Sequence, residues 1–300
     1  MRTEDLVACI LQAHEALDRE RDLSPRNPAI NDALSALVHG ILEGGPPDAA
    51  ECVLADPRVR AIRGELVGRL AIAEGEMERC WSETLCARAS LEAADLADFI
   101  YWDCYRNLVT AELALLPADL GIGEGQSIAF VGAGPLPLSA ILMHLSTGRR
   151  VTCIDRDPGA CSLACALCRK AGLTGIGIAC ASGASWDYAS HPVVFIASLV
   201  PEKAEVMRCI RRRCPQAVVG LRSAEGLCSL LYDPVDETEL KAMGCGLLAR
   251  TGYNPRVINT TLLYEAAPAH RPAGAPAEAI ARPLPDRSIV RPRPALLRPT

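Results

Sequence analysis

The spacing of apolar residues divides the chain into a helical first part and a second part in which short apolar runs alternate with helical patterns. Up to about residue 116, apolar residues recur every three or four positions, which is the period of an amphipathic helix. The segments with this period are Leu6–Leu17, Leu34–Leu42, Val59–Leu70, Ile72–Leu91 and Leu96–Leu116. The pattern therefore predicts a helical bundle, which we assign to a domain over residues 1–116.

The pattern changes at Ser127, where short apolar runs begin to alternate with helical segments. Such alternation is typical of an α/β fold, in which a parallel, doubly wound sheet binds ligands at the carboxyl ends of its strands. The predicted strands are Ile128–Val131, Val151–Ile154, Gly175–Ala179, Val193–Ile196, Ala217–Leu221 and Val257–Leu263. We therefore predict a Rossmann-like domain over residues 117–267.

The segment from Ile128 to Asp155 resembles one nucleotide-binding half of such a sheet. Gly132 would permit a tight turn after the first strand, and Gly134 would let the backbone approach a ligand closely. Asp155 ends the next strand, at the spacing expected of a carboxylate that holds two ribose hydroxyls. The alternative interpretation is a glycine turn without a ligand, and Asp155 argues against it. An adenosine ligand is therefore predicted.

The third glycine of a dinucleotide-binding motif is missing, and Pro135-Leu136-Pro137 stands in its place. That glycine normally lets a helix pack tightly beneath a pyrophosphate. A single adenosine is therefore favoured over a dinucleotide.

Charge is distributed unevenly along the 300 residues, whose net charge is −5. Residues 268–300 contain six Arg, one Asp and one Glu, which gives about +4 and leaves about −9 for the remainder. An acidic body argues against a nucleic-acid-binding domain. The Pro- and Arg-rich segment 268–300 is predicted to be a disordered tail, with a basic interaction arm as the alternative.

The sequence shows no sign of export or membrane insertion. Glu4 and Asp5 interrupt any basic leader, and glycines and prolines break the longest apolar run, Ile128–Leu145. We therefore expect a cytoplasmic protein that does not bind a membrane. A homodimer is one assembly consistent with the sequence.

The 14 cysteines are scattered through periodic segments, which favours reduced, mostly buried thiols. Cys161, Cys165 and Cys168 have metal-like spacing, but they lie on one predicted helix without a second ligand cluster nearby. A packed helix face is therefore favoured over a metal site, and no metal is expected.

Two pairs of polar residues in the helical domain are candidates for catalysis. Glu74 and Glu78 are four residues apart, as are Tyr101 and Tyr105, so each pair should share one face of a helix. The ordinary interpretations are a solvated face for the carboxylates and core packing for the tyrosines.

These segments together resemble the nicotianamine synthase family, including the bacterial opine-metallophore enzymes that share its fold. The matching segments are Ala73-Glu74-Gly75 with Glu78 and Trp81-Ser82, Tyr101 and Tyr105 with Asn107-Leu108 and Glu112, Phe130–Leu138, Val194–Val200, and Leu221–Gly226 with Leu231–Pro234. The resemblance covers most of residues 65–265.

The resemblance implies a domain like that of S-adenosylmethionine (SAM) methyltransferases, but a different reaction. The group transferred would be the 3-amino-3-carboxypropyl group of SAM, with 5′-methylthioadenosine as coproduct. Positioning selects the reacting carbon, because a sulfonium activates all three of its neighbours. The implied residues are Glu78, Glu74, Tyr105 and Tyr101 for catalysis, Gly132, Gly134, Pro135, Asp155, Ala197 and Leu199 for SAM, and Arg222 for a substrate carboxylate or, equally, an ion pair at a strand end.

The acceptor implied by the resemblance is either the amine of histidine or a further unit derived from SAM. Histidine would give an intermediate that a partner opine dehydrogenase condenses with a keto acid, and repeated transfer from several SAM molecules would give nicotianamine. The histidine reaction is preferred here. The remaining alternatives are an ordinary SAM methyltransferase and a non-catalytic protein that binds an adenosine ligand, or a metal through its thiols.

Overall fold

The computed structural model describes residues 2–43, 47–117, 125–252, 254 and 257–267. The predicted disordered tail, residues 268–300, lies outside this part of the chain. Contacts between residues divide the protein into two compact units. The first unit contains the chain up to Cys80 together with Ser223–Pro234, and the second contains Trp81–Arg222 and the described chain from Val235. The predicted boundary between residues 116 and 117 falls within the second unit, and as a domain boundary it stays a prediction.

The first unit is helical, as the apolar period predicts. Asn27 and Pro28 show how local sequence starts a helix: the Asn27 side chain accepts a hydrogen bond from the Ala29 backbone N–H, and Pro28 occupies the first turn. Leu6, Ile10 and Leu17 are buried where α1 packs against α2. The helices are α1 (Thr3–Arg19), α2 (Pro28–Leu42), α3 (Pro47–Ala55) and α4 (Pro57–Ala87), the last in the first unit up to Cys80, with a 3₁₀ helix at Gly226–Leu230.

Two predicted helices, Val59–Leu70 and Ile72–Leu91, are wrong as separate elements, because they form the single helix α4. Interior glycines lower helix propensity by about 1 kcal/mol each without ending a helix, and no proline follows Pro57 within it. The predicted helix Leu96–Leu116 is also wrong at its start. A 3₁₀ helix occupies Ala93–Asp98, and α5 begins only at Trp102 and ends at Leu115.

The second unit is built on a seven-stranded sheet within the described residues, with strand order β3-β2-β1-β4-β5-β7-β6. Neighbouring strands from β3 to β5 are parallel. The predicted α/β fold is confirmed. The strands are β1 (Ile128–Val131), β2 (Val151–Asp155), β3 (Ile176–Cys180), β4 (Val193–Ile196), β5 (Val218–Ser223), β6 (Gly246–Arg250) and β7 (Thr260–Glu265), and the helices after α5 are α6 (Leu138–Thr147), α7 (Pro158–Lys170), α8 (Lys203–Arg213) and α9 (Glu237–Ala242).

One edge of the sheet departs from the predicted parallel arrangement. β6, which the sequence did not predict, pairs antiparallel with β7, and β7 begins at Thr260, three residues later than predicted. Leu247 and Leu248 are both exposed in β6, so the strand lacks the alternation of buried and exposed residues that marks a half-buried strand.

Every residue of β1 and β4 is buried, as expected for central parallel strands covered on both faces. β1 lies between β2 and β4, so the loops that follow these three strands meet at one edge of the sheet. That edge is where a doubly wound sheet binds its ligand. Among the described residues, no helix is both long and apolar enough to cross a membrane.

Candidate active site

Gly132 follows β1 at a position where only glycine fits. Its φ is +76°, and a Cβ added there would lie 2.4 Å from Val200 Cγ2 and 3.3 Å from Ala197 Cβ. Its N–H donates to the carbonyl oxygen of Ile154 at 2.8 Å. The turn after β1 is therefore held against the neighbouring strands, with no room for a side chain. This is the conformation that the sequence motif predicts.

Asp155 links the end of β2 to this turn. Its Oδ2 accepts a hydrogen bond from the Gly134 N–H at 2.8 Å, and its Oδ1 accepts from the Asp157 N–H at 3.0 Å. Gly134 also has a positive φ, +66°. A carboxylate has about four acceptor positions, so each oxygen keeps one for a further donor such as a ribose hydroxyl. The two backbone bonds fix the direction in which those positions point.

The loop after β4 contains the predicted donor contacts Ala197 and Leu199. The Ala197 N–H donates to Val131 O at 3.0 Å, which continues the pairing with β1 beyond the strand. Lys203 Nζ donates to Ser198 O at 2.6 Å and to Val200 O at 3.0 Å, and so fixes the loop from the start of α8. Leu199 remains 38% exposed.

Pro135 is buried in the turn between β1 and α6. The helix begins at Leu138, and in its first turn the hydroxyl of Ser139 is buried without a hydrogen-bond partner among the described residues. Hydrogen bonds thus join Gly134 to Asp155, Gly132 to β2 and Ala197 to β1, and Pro135 and Leu199 lie in the same loops. We call this group the donor loops.

Arg222 lies at the end of β5 in a buried ion pair. Its Nε and Nη2 donate to the two carboxylate oxygens of Glu112 at 2.8 and 3.0 Å, and the Thr261 hydroxyl donates to Glu112 Oε1 at 2.8 Å. Its guanidinium carbon is 5.1 Å from the centre of the Phe130 ring. Burial lowers the pKa of Arg222 and the Glu112 carboxylate raises it, with a net upward shift. The sequence allows two alternatives for Arg222, and the structure contains the ion pair at a strand end. A contact of Arg222 with a substrate carboxylate stays a prediction.

Tyr101 and Tyr105 belong to an aromatic cluster centred on Phe99. The Tyr101 and Tyr105 rings meet the Phe99 ring edge-on at 5.8 and 5.9 Å, and Trp81 meets it at 5.5 Å. Tyr101 is the N-cap residue of α5, and its carbonyl oxygen accepts a hydrogen bond from the Tyr105 N–H at 3.0 Å, so the two residues lie one helical turn apart. Both rings contact Phe99, and both side chains are partly exposed.

Glu74 and Glu78 lie one turn apart in the part of α4 that belongs to the first unit, and both are partly exposed. Glu74 Oε2 accepts a hydrogen bond from the Tyr232 hydroxyl at 2.8 Å. Asp233, the residue after Tyr232, forms an ion pair at 2.9 Å with Arg63, which lies in α4 like Glu74. The segment Ser223–Pro234 therefore orients one of the two predicted carboxylates.

Three residues at these places were missed as site residues by the sequence analysis: Tyr232, Glu112 and Ser139. Glu112 could have been found, since it is the single acid on the buried face of α5 formed by Leu108, Val109 and Leu113. No local sequence pattern marks Tyr232, because its partner Glu74 is 158 residues away in the sequence.

The cysteines of α7 differ from one another. Cys161 and Cys168 are buried, as a packed helix face requires, but Cys165 is exposed and does not belong to that face. Within the described part of the chain, no group of three or more His, Cys, Asp or Glu side chains is arranged to hold a metal ion.

Comparison with known proteins gives one family. A family profile described as nicotianamine synthase protein matches residues 1–270. Nicotianamine synthase 3 of Oryza sativa subsp. indica is 30% identical over 282 residues, covering 90% of this chain and 81% of the rice protein. Nicotianamine synthase 3 of Arabidopsis thaliana is 29% identical over 282 residues, covering 88% of this chain and 85% of that protein.

Solved structures show the same fold. A glutamate-to-glutamine mutant of the protein MtNAS, crystallised in complex with S-adenosylmethionine, aligns with a TM-score of 0.75. The two chains are 20% identical, and the alignment covers 87% of this chain and 98% of that one.

Proposed function

This chain belongs to the nicotianamine synthase family, and we propose that it transfers the 3-amino-3-carboxypropyl group of SAM to the amine of histidine, releasing 5′-methylthioadenosine. The product would be an opine-type metallophore intermediate. The structure of MtNAS with SAM and the donor loops of this chain support SAM as the donor.

The observation that carries the proposal is the arrangement of Gly132, Gly134 and Asp155. The turn after β1 excludes any side chain at Gly132, and Asp155 keeps free acceptor positions while two backbone N–H groups hold it. A nucleoside fits such a site through its ribose hydroxyls. Pro135, Ala197 and Leu199 are proposed to line the rest of the donor site.

The proposed reaction forms a bond between the amine nitrogen and the γ-carbon of the methionine part of SAM. The bond between that carbon and sulfur breaks, and its electron pair returns to the sulfonium, which becomes a neutral thioether. The amine loses one proton, which a nearby carboxylate accepts. A base within hydrogen-bond reach accelerates such a step by about 10²- to 10⁴-fold.

Glu78 and Glu74 are the proposed proton acceptors, with Tyr105 as a hydroxyl partner and Tyr101 as the second choice. The carboxylates are partly exposed, so substrate could reach them without unfolding α4. Glu74 is already oriented by the Tyr232 hydroxyl.

Nicotianamine synthesis from several SAM molecules is a second proposal, favoured by the names of the plant relatives. It differs from the first in its acceptor and in the number of transfers. In the histidine reaction a cytoplasmic opine dehydrogenase would use the product, whereas in nicotianamine synthesis the chain needs no such partner.

The reaction is tested by incubating the purified protein with SAM and either L-histidine, D-histidine or no added acceptor. We expect 5′-methylthioadenosine and one aminocarboxypropyl group on histidine, identified by mass spectrometry. Coproduct formed without histidine, together with nicotianamine, would support the second proposal. S-adenosylhomocysteine as the only coproduct would reject both in favour of a methyltransferase, and SAM binding without turnover would favour a non-catalytic protein.

The carboxylates are tested with Glu78→Gln and Glu74→Gln, and with Glu76→Gln as a matched control. Glu76 is on the same helix, 46% exposed, and 4.0 Å from Arg79. We expect Glu78→Gln to lower turnover by about 10²-fold or more while SAM binding, measured by calorimetry, is unchanged. Equal turnover in Glu78→Gln and Glu76→Gln would remove Glu78 from the site.

A further inference from the structure

Two thiols that the proposed reaction does not use lie beside Asp155. Cys161 is in the first turns of α7, and Cys180 is the last residue of β3. Cys161 Sγ lies over the carbonyl of the residue that precedes Cys180, so the two thiols are neighbours. Cys161 is 7% exposed, whereas Cys180 is exposed to solvent. One thiol of the pair is therefore open to reagents and the other is shielded.

The backbone holds these two residues together. Asp155 at the end of β2 is the partner of Cys180 in the parallel pairing of β2 with β3. Cys161 Sγ lies 3.4 Å from Asp155 O and 3.9 Å from Ala179 O. Since the Ala179 carbonyl is part of the peptide bond to Cys180, the Cys161 sulfur lies over the end of β3. The strand register thus places Cys180 beside Asp155, and α7 places the Cys161 sulfur over the same point.

Cys161 is connected to the Asp155 carboxylate through two hydrogen bonds of the turn between β2 and α7. The Cys161 N–H donates to Asp157 O at 3.0 Å, and the Asp157 N–H donates to Asp155 Oδ1 at 3.0 Å. The other carboxylate oxygen accepts from Gly134. A displacement of the first turn of α7 would therefore reach the donor loops through Asp157.

We propose that Cys161 and Cys180 form a reversible disulfide that weakens binding of the donor nucleoside at Asp155. The inference rests on the proposed function in that SAM is taken as the nucleoside. It adds an oxidation site and a control of donor binding by thiol redox state.

The oxidant is a small-molecule disulfide such as oxidised glutathione. The exposed Cys180 attacks one of its sulfurs, a mixed disulfide forms, and one glutathione leaves as a thiolate. Cys161 then loses its proton and attacks the Cys180 sulfur, which expels the second glutathione. Two protein thiols lose two electrons in total, and one disulfide is reduced to two thiols.

Cys180 is the entry point, because Cys161 is a poor first nucleophile. Burial, and then the neighbouring Cys180 thiol, raise the pKa of Cys161, and the thiolate is the form that attacks. Once Cys180 carries glutathione, Cys161 is the thiol already placed against it.

Closure of the disulfide changes the geometry of the turn. The S–S bond is about 2.05 Å long, so the two sulfurs must move closer together than two unbonded thiols can lie. The Cys161 sulfur leaves Asp155 O, and the first turn of α7 is drawn towards β3. We expect SAM to bind about tenfold more weakly, which is an ordinary coupling between two sites.

The test compares the full-length protein after treatment with dithiothreitol and after equilibration with oxidised glutathione. Intact mass and peptide mapping identify the disulfide, and calorimetric titration with SAM measures affinity. We expect a Cys161–Cys180 crosslink and weaker SAM binding in the wild type, both reversed by dithiothreitol. Cys165→Ser, which changes an exposed thiol of the same helix, should behave like the wild type. Cys161→Ser should stop at one glutathione on Cys180, and Cys180→Ser should form no crosslink.

Three results would overturn the proposal: glutathione on wild-type Cys180 without a crosslink, a crosslink of Cys161 to Cys153, the buried cysteine of β2, or equal SAM affinity in both redox states, including no binding in either. The result of this redox test does not depend on the result of the test for aminocarboxypropyl transfer. A protein that forms the crosslink and loses SAM affinity, but transfers no aminocarboxypropyl group, would contradict the proposed function alone.

Discussion

The donor loops of the second unit and the carboxylates of the first unit are held in place in different ways. Asp155 is fixed by backbone N–H groups 21 and two residues away, and Gly132 by its hydrogen bond to Ile154 O. Glu74 is oriented by the hydroxyl of Tyr232, 158 residues along the chain. Groups held by nearby backbone depend on a short motif, whereas groups held by a distant side chain depend on the whole fold of their unit.

The largest expected effect is a loss of stability when the buried ion pair of the second unit is broken. Arg222→Met leaves the Glu112 carboxylate buried and without its cation, so we expect the free energy of unfolding to fall by about 3–5 kcal/mol in urea titrations. The double variant Arg222→Met with Glu112→Leu removes both charges and should recover most of this loss. An equal loss in the single and double variants would show that the pair is not the cause.

Gly132→Ala tests the donor loops directly. The new Cβ meets Val200 at 2.4 Å in a backbone conformation unfavourable for alanine, so we expect SAM to bind about 10- to 100-fold more weakly in calorimetry. Gly148→Ala is the matched control, because its φ is also positive, +67°, but no atom lies within 4 Å of the added Cβ. If Gly132→Ala and Gly148→Ala have the same SAM affinity, the close approach of the Gly132 backbone to Val200 would have no role in binding.

These two predictions show what the sequence could and could not supply. The Gly132–Asp155 motif was predicted because its residues act through local turns and through two neighbouring strands. The pairing of Arg222 with Glu112 spans 110 residues, and only the order of strands and helices in three dimensions creates it. β6 was missed for a related reason, since its exposed Leu247 and Leu248 give no burial period.

Tyr232→Phe tests the first unit. Loss of a hydrogen bond to a charged group costs about 1.5 kcal/mol, so we expect the kcat/KM of aminocarboxypropyl transfer to fall about tenfold while SAM affinity is unchanged. Tyr264→Phe is the control, because this phenol also points at a carboxylate, that of Glu237, at 3.5 Å. Unchanged kcat/KM in Tyr232→Phe would mean that the orientation of Glu74 does not matter to the reaction.

The smallest expected effect is a pH dependence of stability caused by His191, which lies just before β4 in the second unit. His191 is buried, Trp186 Nε1 donates to its Nε2 at 3.2 Å, and burial lowers its pKa below 6.5, against the opposing effect of Asp187. The unfolded chain therefore binds a proton at this residue more readily than the folded one. Stability should be complete above about pH 6.5 and fall as the pH drops towards the lowered pKa.

The pH effect is measured as the urea midpoint at pH 7.5 and pH 5.5. His191→Gln should show a smaller difference between the two midpoints than the wild type. His39→Gln, which changes an exposed histidine of the first unit, should leave the difference as it is in the wild type. The same difference in all three proteins would exclude His191 as its source.

The central claim is that this chain transfers the aminocarboxypropyl group of SAM and not its methyl group. The most direct measurement is a reaction of histidine with SAM that carries ¹³C only in the aminocarboxypropyl carbons, followed by mass spectrometry of both products. We predict that the label is found on histidine and that unlabelled 5′-methylthioadenosine is released. Label retained in S-adenosylhomocysteine, with an unlabelled methyl group on the acceptor, would contradict the claim.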